Sequence, residues 1–176
     1  MLTKTTQKTV VAGLFLALGI VLPFATAHAF GLQGNIFLPM HIPVLLCGYI
    51  CGPLFGAVLG LLLPLCNSLL TGMPAIFPTA LLMTFELLTY GFMSGLLYKK
   101  LPIKKMYAKT CTSLIISILS GRIVYGIIGA VLLVYDSGLE GVSAIAATIS
   151  GIPGIIIQLI FIPIIIFSLE KFIKKN

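Results

Sequence analysis

Two charged side chains, Glu86 and Arg122, stand in the middle of long apolar segments. A charge at the centre of a membrane costs on the order of 2.5 to 3.5 kcal/mol on insertion scales, so it is usually paired and often functional. Counting helical rise from the ends of their segments places both side chains at a depth of about 15 to 18 Å. We therefore expect them to meet, either as part of a ligand site or as an ion pair that only fixes helix packing.

Other polar residues occur at compatible depths in the same apolar segments. Gln158 is predicted at a similar depth, Asn67 and His41 lie nearer the outer end, and Tyr90 and Tyr125 are close in sequence to the two charges. These residues predict one polar cavity in the outer half of a helical bundle. His41 also fits a simpler interpretation, a hydrogen-bonded residue at the start of a helix. The segments GLQGNIFLP and TGMPAIFPT have the composition of loops that close over a site.

The composition identifies the class of protein. The chain has 176 residues, of which 59% are hydrophobic and 9% charged, and its mean hydropathy is +1.18. These values predict an integral membrane protein with one domain, residues 1–176. The net charge of +7 does not indicate nucleic-acid binding. The lysines of the chain cluster at the ends of apolar runs, where they indicate which side of the membrane each end faces.

The apolar runs predict an all-α bundle of six transmembrane helices with both termini cytoplasmic. The run from residue 37 to 70 is too long for one span. We divide it at Gly52-Pro53, because proline disfavours helix in the preceding residue and favours a new helix start. This division also places every lysine inside, and Asp136 and Glu140 outside. The predicted helices are 9–29, 38–51, 53–71, 76–98, 110–134 and 145–169.

An alternative for the first helix is a cleaved signal peptide, since Ala27-His28-Ala29 resembles a cleavage site. Removing it would leave the orientation of the other spans unchanged.

Small residues at spacing four predict close helix packing. One set predicts tight packing between the second and third spans: Gly48, Gly52, Gly56 and Gly60. The first helix carries Thr9, Gly13 and Ala17 at the same spacing, which fits either internal packing or docking to another membrane subunit.

Motifs for catalysis and metal binding do not stand out. The sequence has no HExxH, no GxSxG in a suitable context and no GxxxxGK, so we expect neither an enzyme nor a protein that hydrolyses nucleotides itself. We interpret the four cysteines as small packing residues and predict no metal or cofactor: Cys47, Cys51, Cys66 and Cys111. Two other classes stay open, a secondary transporter that carries protons on Glu86 or His41, and a small membrane enzyme acting on lipids.

Three stretches carry a family resemblance: FLPMHIPVLLCGYICGPLFGAVLGLLLPL, MPAIFPTALLMTFELLTYGFMSGLLYKKL and SGRIVYGIIG. They resemble the S component of energy-coupling factor (ECF) vitamin transporters over about residues 8–170. The resemblance implies a bacterial plasma-membrane protein that binds a small water-soluble vitamin from outside. It also implies partners, namely a transmembrane coupling subunit and two ATPases, on which the S component topples to open its site inward. The family's Ala-xxx-Ala docking pattern falls here on Gly13 and Ala17.

Among S components the chain is most similar to the pantothenate-type branch. Arg122 would suit a carboxylate such as that of pantothenate, because a guanidinium offers two parallel donors. If Glu86 is ionised beside Arg122 the site is nearly neutral. A pyridoxine or hydroxymethylpyrimidine then becomes an alternative substrate.

Overall fold

The computed structural model describes residues 4–30, 34–135 and 148–175, and in these residues it contains helices and no strand. The helical elements with bounds in the described part of the chain are α-helices, which we number in chain order, and one π-helical turn interrupted by the extended residue Phe77. They are α1 (Thr5–Phe30), α2 (Gly34–Phe37), α3 (His41–Cys51), α4 (Pro53–Thr71), the π-helical turn (Ile76–Ala80), α5 (Leu81–Lys100), α6 (Met106–Tyr135) and α7 (Ile152–Lys175).

Five helical segments of the described chain are long and apolar enough to cross a membrane. They are Thr5–Thr26, Pro53–Thr71, Ile76–Lys100, Met106–Val134 and Ile152–Lys171. The prediction of an all-helical membrane protein is therefore confirmed. The predicted second span is represented by α3, which has 11 residues and a length of about 16 Å, roughly half the thickness of a bilayer core.

The predicted second span begins later than expected because the backbone bends before it. Leu38 is buried and has a φ of 49°, a left-handed conformation that interrupts a right-handed helix. The Leu38 carbonyl accepts a hydrogen bond from the His41 amide at 3.1 Å, where α3 starts. The short helix α2 therefore precedes α3 at an angle and does not continue into it.

The predicted division of the long apolar run at Gly52-Pro53 is confirmed. Gly52 has a φ of 102°, which L-residues with a side chain rarely adopt. Pro53 is the first residue of α4, where its missing N–H costs no helical hydrogen bond. The two residues thus end α3 and begin α4 without a loop between them.

Five chain segments meet at one end of the bundle, which we call the basic end and define by Lys8, Lys99, Lys109 and Glu170. The Tyr98 hydroxyl donates a hydrogen bond to Glu170 Oε1 at 2.5 Å, and Lys109 Nζ lies 5.2 Å from the centre of the Tyr98 ring. Lys99 lies against Gly52. Lys8 is near Cys51, the last residue of α3. The start of α1, the turn between α3 and α4, the end of α5, the start of α6 and the end of α7 therefore share this end.

The α2 helix marks the opposite end of the bundle. A Cβ atom added at Gly154, near the start of α7, would lie 2.8 Å from the backbone oxygens of Ile36 and Phe37. The backbone of α2 thus rests directly on α7. The residues Asp136 and Glu140, which we predict on the outer side, lie outside the described part of the chain.

Glycines bring α3, α4 and α5 together. A Cβ atom at Gly56 would lie 2.7 Å from Gly48 Cα and 2.4 Å from the Gly91 carbonyl oxygen. A Cβ atom at Gly91 would in turn lie 2.1 Å from the Gly56 oxygen. The predicted contact between the second and third spans exists, but these glycines also admit the backbone of α5. This contact places Glu86, five residues before Gly91 on α5, beside α3.

Candidate functional site

Glu86 lies at the centre of a polar cluster inside the bundle. Its side chain is 2% exposed, and its Oε1 atom lies 3.1 Å from Arg122 Nη1. The Tyr90 hydroxyl, one helical turn further along α5, donates a hydrogen bond to the same oxygen at 2.9 Å. The contact that the matching depths predict between Glu86 and Arg122 is therefore present, and it joins α5 to α6.

His41 adds α3 to this cluster. Its Nε2 atom lies 3.8 Å from Glu86 Oε2, and its ring centre lies 5.4 Å from that of Tyr90 with a tilt of 59°. The residue is 1% exposed, yet neither ring nitrogen has a hydrogen-bond partner among the described residues. The interpretation of His41 as a hydrogen-bonded residue at a helix start thus fits its position but not its side chain.

Arg122 uses only part of its guanidinium to bind Glu86. The buried Nε and Nη2 atoms have no hydrogen-bond partner among the described residues. These two nitrogens point their hydrogens in parallel from one edge of the planar group, the arrangement that binds both oxygens of a carboxylate. Arg122 therefore pairs with Glu86 through Nη1 and leaves its Nε and Nη2 edge without a partner among the described residues.

Gln158 is a second buried side chain with unused hydrogen-bonding capacity. It is 0% exposed, and neither its Oε1 nor its Nε2 atom has a partner in the described part of the chain. Its position on α7 is one turn, about 6 Å, deeper in the bundle than Gly154 and the contact with α2. An unpaired buried polar group costs about 1 to 3 kcal/mol, so a bound molecule with complementary atoms would gain from meeting it.

Asn67 uses its amide nitrogen inside the bundle. Its Nδ2 atom donates to the Gly19 carbonyl at 3.2 Å and to the Leu63 carbonyl at 3.0 Å. The amide nitrogen thus ties α4 to α1. Its donor is therefore used for helix packing.

Tyr125 lies on α6 three residues after Arg122, and residues at this spacing share a helix face. It is 9% exposed, and Arg122 on the same face pairs with Glu86. Its position therefore agrees with the predicted polar cluster, to which it adds an aromatic ring and a hydroxyl group.

Sequence reasoning missed Gly121, which shapes the cluster without a side chain of its own. A Cβ atom built at this position would lie 2.0 Å from Tyr90 Cε1 and 3.1 Å from the Glu86 carbonyl oxygen. The Tyr90 ring thus occupies the space that any other residue at 121 would fill. The only signal in the sequence is the adjacency of this glycine to Arg122 in the stretch SGRIVYG.

The small residues of α1 form a separate surface. Thr9, Gly13 and Ala17 are all exposed, and a Cβ atom added at Gly13 would meet no atom within 4 Å. The glycine that packs inside is Gly19, where a Cβ atom would clash with Leu63. Of the two predicted interpretations, internal packing does not describe this face.

The cluster contains groups of a kind that can hydrogen-bond a small polar molecule. Within the described residues, no group of three or more His, Cys, Asp or Glu side chains could hold a metal ion. The cluster combines one cation, one anion and several neutral donors and acceptors in a water-poor interior. Such groups hold a small polar molecule by directed hydrogen bonds.

A family model described as "ECF transporter, substrate-specific component" matches residues 7–169 of the chain. Neither the search of curated proteins nor the search of solved structures gave a significant match.

Proposed function

Because the chain belongs to the family of substrate-specific components of ECF transporters, we propose that it captures a small water-soluble vitamin from outside the cell, with pantothenate as the favoured substrate. The family membership makes it a component of a transport system and not an enzyme. The identity of the vitamin, the residues that contact it and the route of delivery are the parts that we propose.

The observation that carries the proposal is the unpaired edge of Arg122. Its Nε and Nη2 atoms are buried and lack partners in the described part of the chain, while Nη1 is satisfied by Glu86. A ligand carboxylate placed on this edge would accept two parallel charge-assisted hydrogen bonds. Glu86, Arg122 and the ligand carboxylate would together carry a net charge of minus one. Further hydrogen-bond donors are therefore needed nearby to stabilise the excess negative charge.

Other buried polar side chains could supply those donors and recognise the rest of the ligand. His41 and Gln158 both have unpaired buried nitrogens, and Tyr125 is on the same helix face as Arg122. Pantothenate carries a carboxylate, two hydroxyl groups and an amide, which match a guanidinium, an imidazole and a carboxamide. We place Glu86 and Tyr90 behind Arg122, where they hold the guanidinium in position.

A neutral substrate is the alternative within the same transport mechanism. The contact between Glu86 and Arg122 gives the cluster a formal charge close to zero. A pyridoxine or hydroxymethylpyrimidine could then bind through its ring nitrogen and hydroxyl groups. The distinguishing property is whether affinity depends on a negative charge in the ligand.

For delivery, we propose that six segments cross the membrane with both termini and the basic end in the cytoplasm. The meeting of Lys8, Lys99 and Lys109 at one end supports this orientation through the positive-inside rule. In this arrangement α2 and α3 together make one crossing. The exposed face of Thr9, Gly13 and Ala17 on α1 would bind the transmembrane coupling subunit, and two ATPases would drive the toppling that opens the site inward.

The test has two parts, binding by the solitary protein and uptake by the assembled transporter. Purified protein should bind pantothenate in calorimetry, and mass spectrometry should find the vitamin in protein purified from cells. Liposomes should accumulate it only when the coupling subunit and ATPases are present with ATP inside. Uptake without the ATPases would instead indicate a secondary transporter, and chemical conversion of a lipid or ligand would indicate an enzyme.

A further inference from the structure

The Tyr90 hydroxyl and the Arg122 guanidinium bind the same oxygen of Glu86. The two distances are 2.9 Å from the Tyr90 oxygen and 3.1 Å from Arg122 Nη1, both to Oε1. The other oxygen, Oε2, is turned toward His41 Nε2 at 3.8 Å. Glu86 is therefore oriented with Oε1 on the guanidinium and Oε2 on the side of His41.

This orientation is not the one that a carboxylate adopts most readily beside an arginine. Free to rotate, a carboxylate and a guanidinium form two parallel hydrogen bonds, because their planar groups match. In this chain such a pair would occupy two of the three guanidinium nitrogens. The Tyr90 hydrogen bond opposes that rotation and leaves Nε and Nη2 together on the unpaired edge.

The position of the Tyr90 ring depends in turn on Gly121. A Cβ atom at residue 121 would lie 2.0 Å from Tyr90 Cε1 and 2.2 Å from Cδ1, so alanine would push the ring away by more than 1 Å. The His41 ring lies on another side of Tyr90, with 5.4 Å between ring centres. The ring is thus placed between an imidazole and the bare backbone of α6.

We propose that Gly121 is a specificity-determining position: by admitting the Tyr90 ring it keeps Glu86 on Nη1 and reserves the Nε and Nη2 edge of Arg122 for an anionic group of the ligand. Gly121 and Tyr90 are positioning residues, since they act through Glu86 and Arg122. Without them, Glu86 would rotate into a two-pronged pair with Arg122 and compete with the ligand's anion. The specificity part of this inference rests on the proposed function, whereas the orientation of Glu86 does not.

A ligand-free measurement tests the orientation. Protein labelled with carbon-13 in its glutamate carboxyl groups gives an infrared carboxylate band for Glu86, identified by its loss in Glu86→Gln. Tyr90→Phe should shift this band by removing a hydrogen-bond donor, and Gly121→Ala should shift it in the same direction. The combined variant should shift it no further than Tyr90→Phe alone, because both changes act through one hydrogen bond.

The control is Ser120→Ala on the same helix. The Ser120 hydroxyl donates to the Ile116 carbonyl of its own helix at 2.7 Å, so its loss should leave the Glu86 band unchanged. A Glu86 band that stays in place in Gly121→Ala but moves in Tyr90→Phe would overturn the role of Gly121. A band that moves in neither variant would overturn the role of both residues.

A matched pair of ligands tests the specificity. Pantothenate and pantothenol differ in that a carboxylate is replaced by a hydroxymethyl group. We expect Gly121→Ala and Tyr90→Phe to lower the ratio of their affinities about tenfold, the factor that corresponds to about 1.4 kcal/mol, and Ser120→Ala to keep it. An unchanged ratio in both variants would overturn the specificity part.

Two further outcomes are separable from these. If the parent protein binds neither probe, the proposed substrate is wrong, and the infrared comparison still decides the roles of Tyr90 and Gly121. If Gly121→Ala lowers the yield of folded protein, Tyr90→Phe decides the claim for the hydroxyl group, because it adds no atom to the contact between α5 and α6. Rescue of folding by adding Tyr90→Ala to Gly121→Ala would then show that the Tyr90 ring occupies the space at residue 121, and failure of that rescue would contradict the role of Gly121.

Discussion

Replacing Arg122 by lysine separates a ligand-binding guanidinium from a structural one. In the parent protein Arg122 Nη1 lies 3.1 Å from Glu86 Oε1. Lysine keeps a positive charge near this carboxylate, so the buried Glu86 is not left unpaired. It removes the planar edge formed by Nε and Nη2, because an ammonium group is a point charge on a flexible chain. The variant therefore changes the geometry offered to the ligand more than the charge balance of the bundle.

The expected size of the effect follows from the number of hydrogen bonds lost. A ligand carboxylate on the Nε and Nη2 edge would accept two bonds, and hydrogen bonds to charged groups contribute about 1.5 to 3 kcal/mol each. An ammonium group can restore one of them. The net loss of one bond predicts that Arg122→Lys binds pantothenate roughly 10- to 150-fold more weakly.

The assay is isothermal titration calorimetry on monodisperse, ligand-free protein in detergent, with thermal unfolding measured in parallel. Lys104→Met, at an exposed position before α6, is the control for a change of charge outside the site. It should bind like the parent protein. The unfolding temperature of Arg122→Lys should stay near that of the parent, since the contact with Glu86 is retained.

A second variant gives the result that would refute the reasoning. Arg122→Met alone would leave Glu86 as an unpaired buried charge, which typically costs 3 to 5 kcal/mol of stability. Combining it with Glu86→Gln removes both charges and avoids that cost. If this double variant binds pantothenate like the parent protein, Arg122 serves only Glu86, and our assignment of a ligand contact is wrong.

Three other predictions concern orientation, docking and packing. In a protein without native cysteines, Lys104→Cys should react with impermeant thiol reagents only in opened cells, whereas Ser137→Cys should react in intact cells. Reaction of both variants in intact cells would contradict the six-span arrangement. Gly13→Trp or Ala17→Trp should abolish uptake by the assembled transporter and leave ligand binding by the solitary protein intact, because both residues lie on the exposed face of α1; normal uptake would refute the docking surface. Gly91→Leu should lower stability by about 3 kcal/mol or more in thermal unfolding, since its Cβ atom would lie 2.1 Å from the Gly56 oxygen; Gly13→Ala, with no atom within 4 Å, is its control.

Several features of this protein follow from its sequence alone. The membrane class, the break at Gly52-Pro53 and the approximate bounds of the helices depend on properties of short segments, namely apolar length and the backbone limits of proline and glycine. The contact between Glu86 and Arg122 was also predictable, because depth in a membrane follows from helical rise along each span. A membrane thus supplies a common axis along which residues far apart in the chain can be compared.

Only the tertiary structure decided what each polar side chain contacts. Asn67 and Gln158 look equivalent as buried amides in the sequence, yet Asn67 donates to Gly19 on α1 while the polar atoms of Gln158 have no partner among the described residues. Likewise, nothing local distinguishes Gly121 as the seat of the Tyr90 ring. These contacts depend on how each helix is rotated about its own axis and on which neighbour it meets. Both are set by packing between residues distant in sequence, which helical rise and hydropathy do not encode.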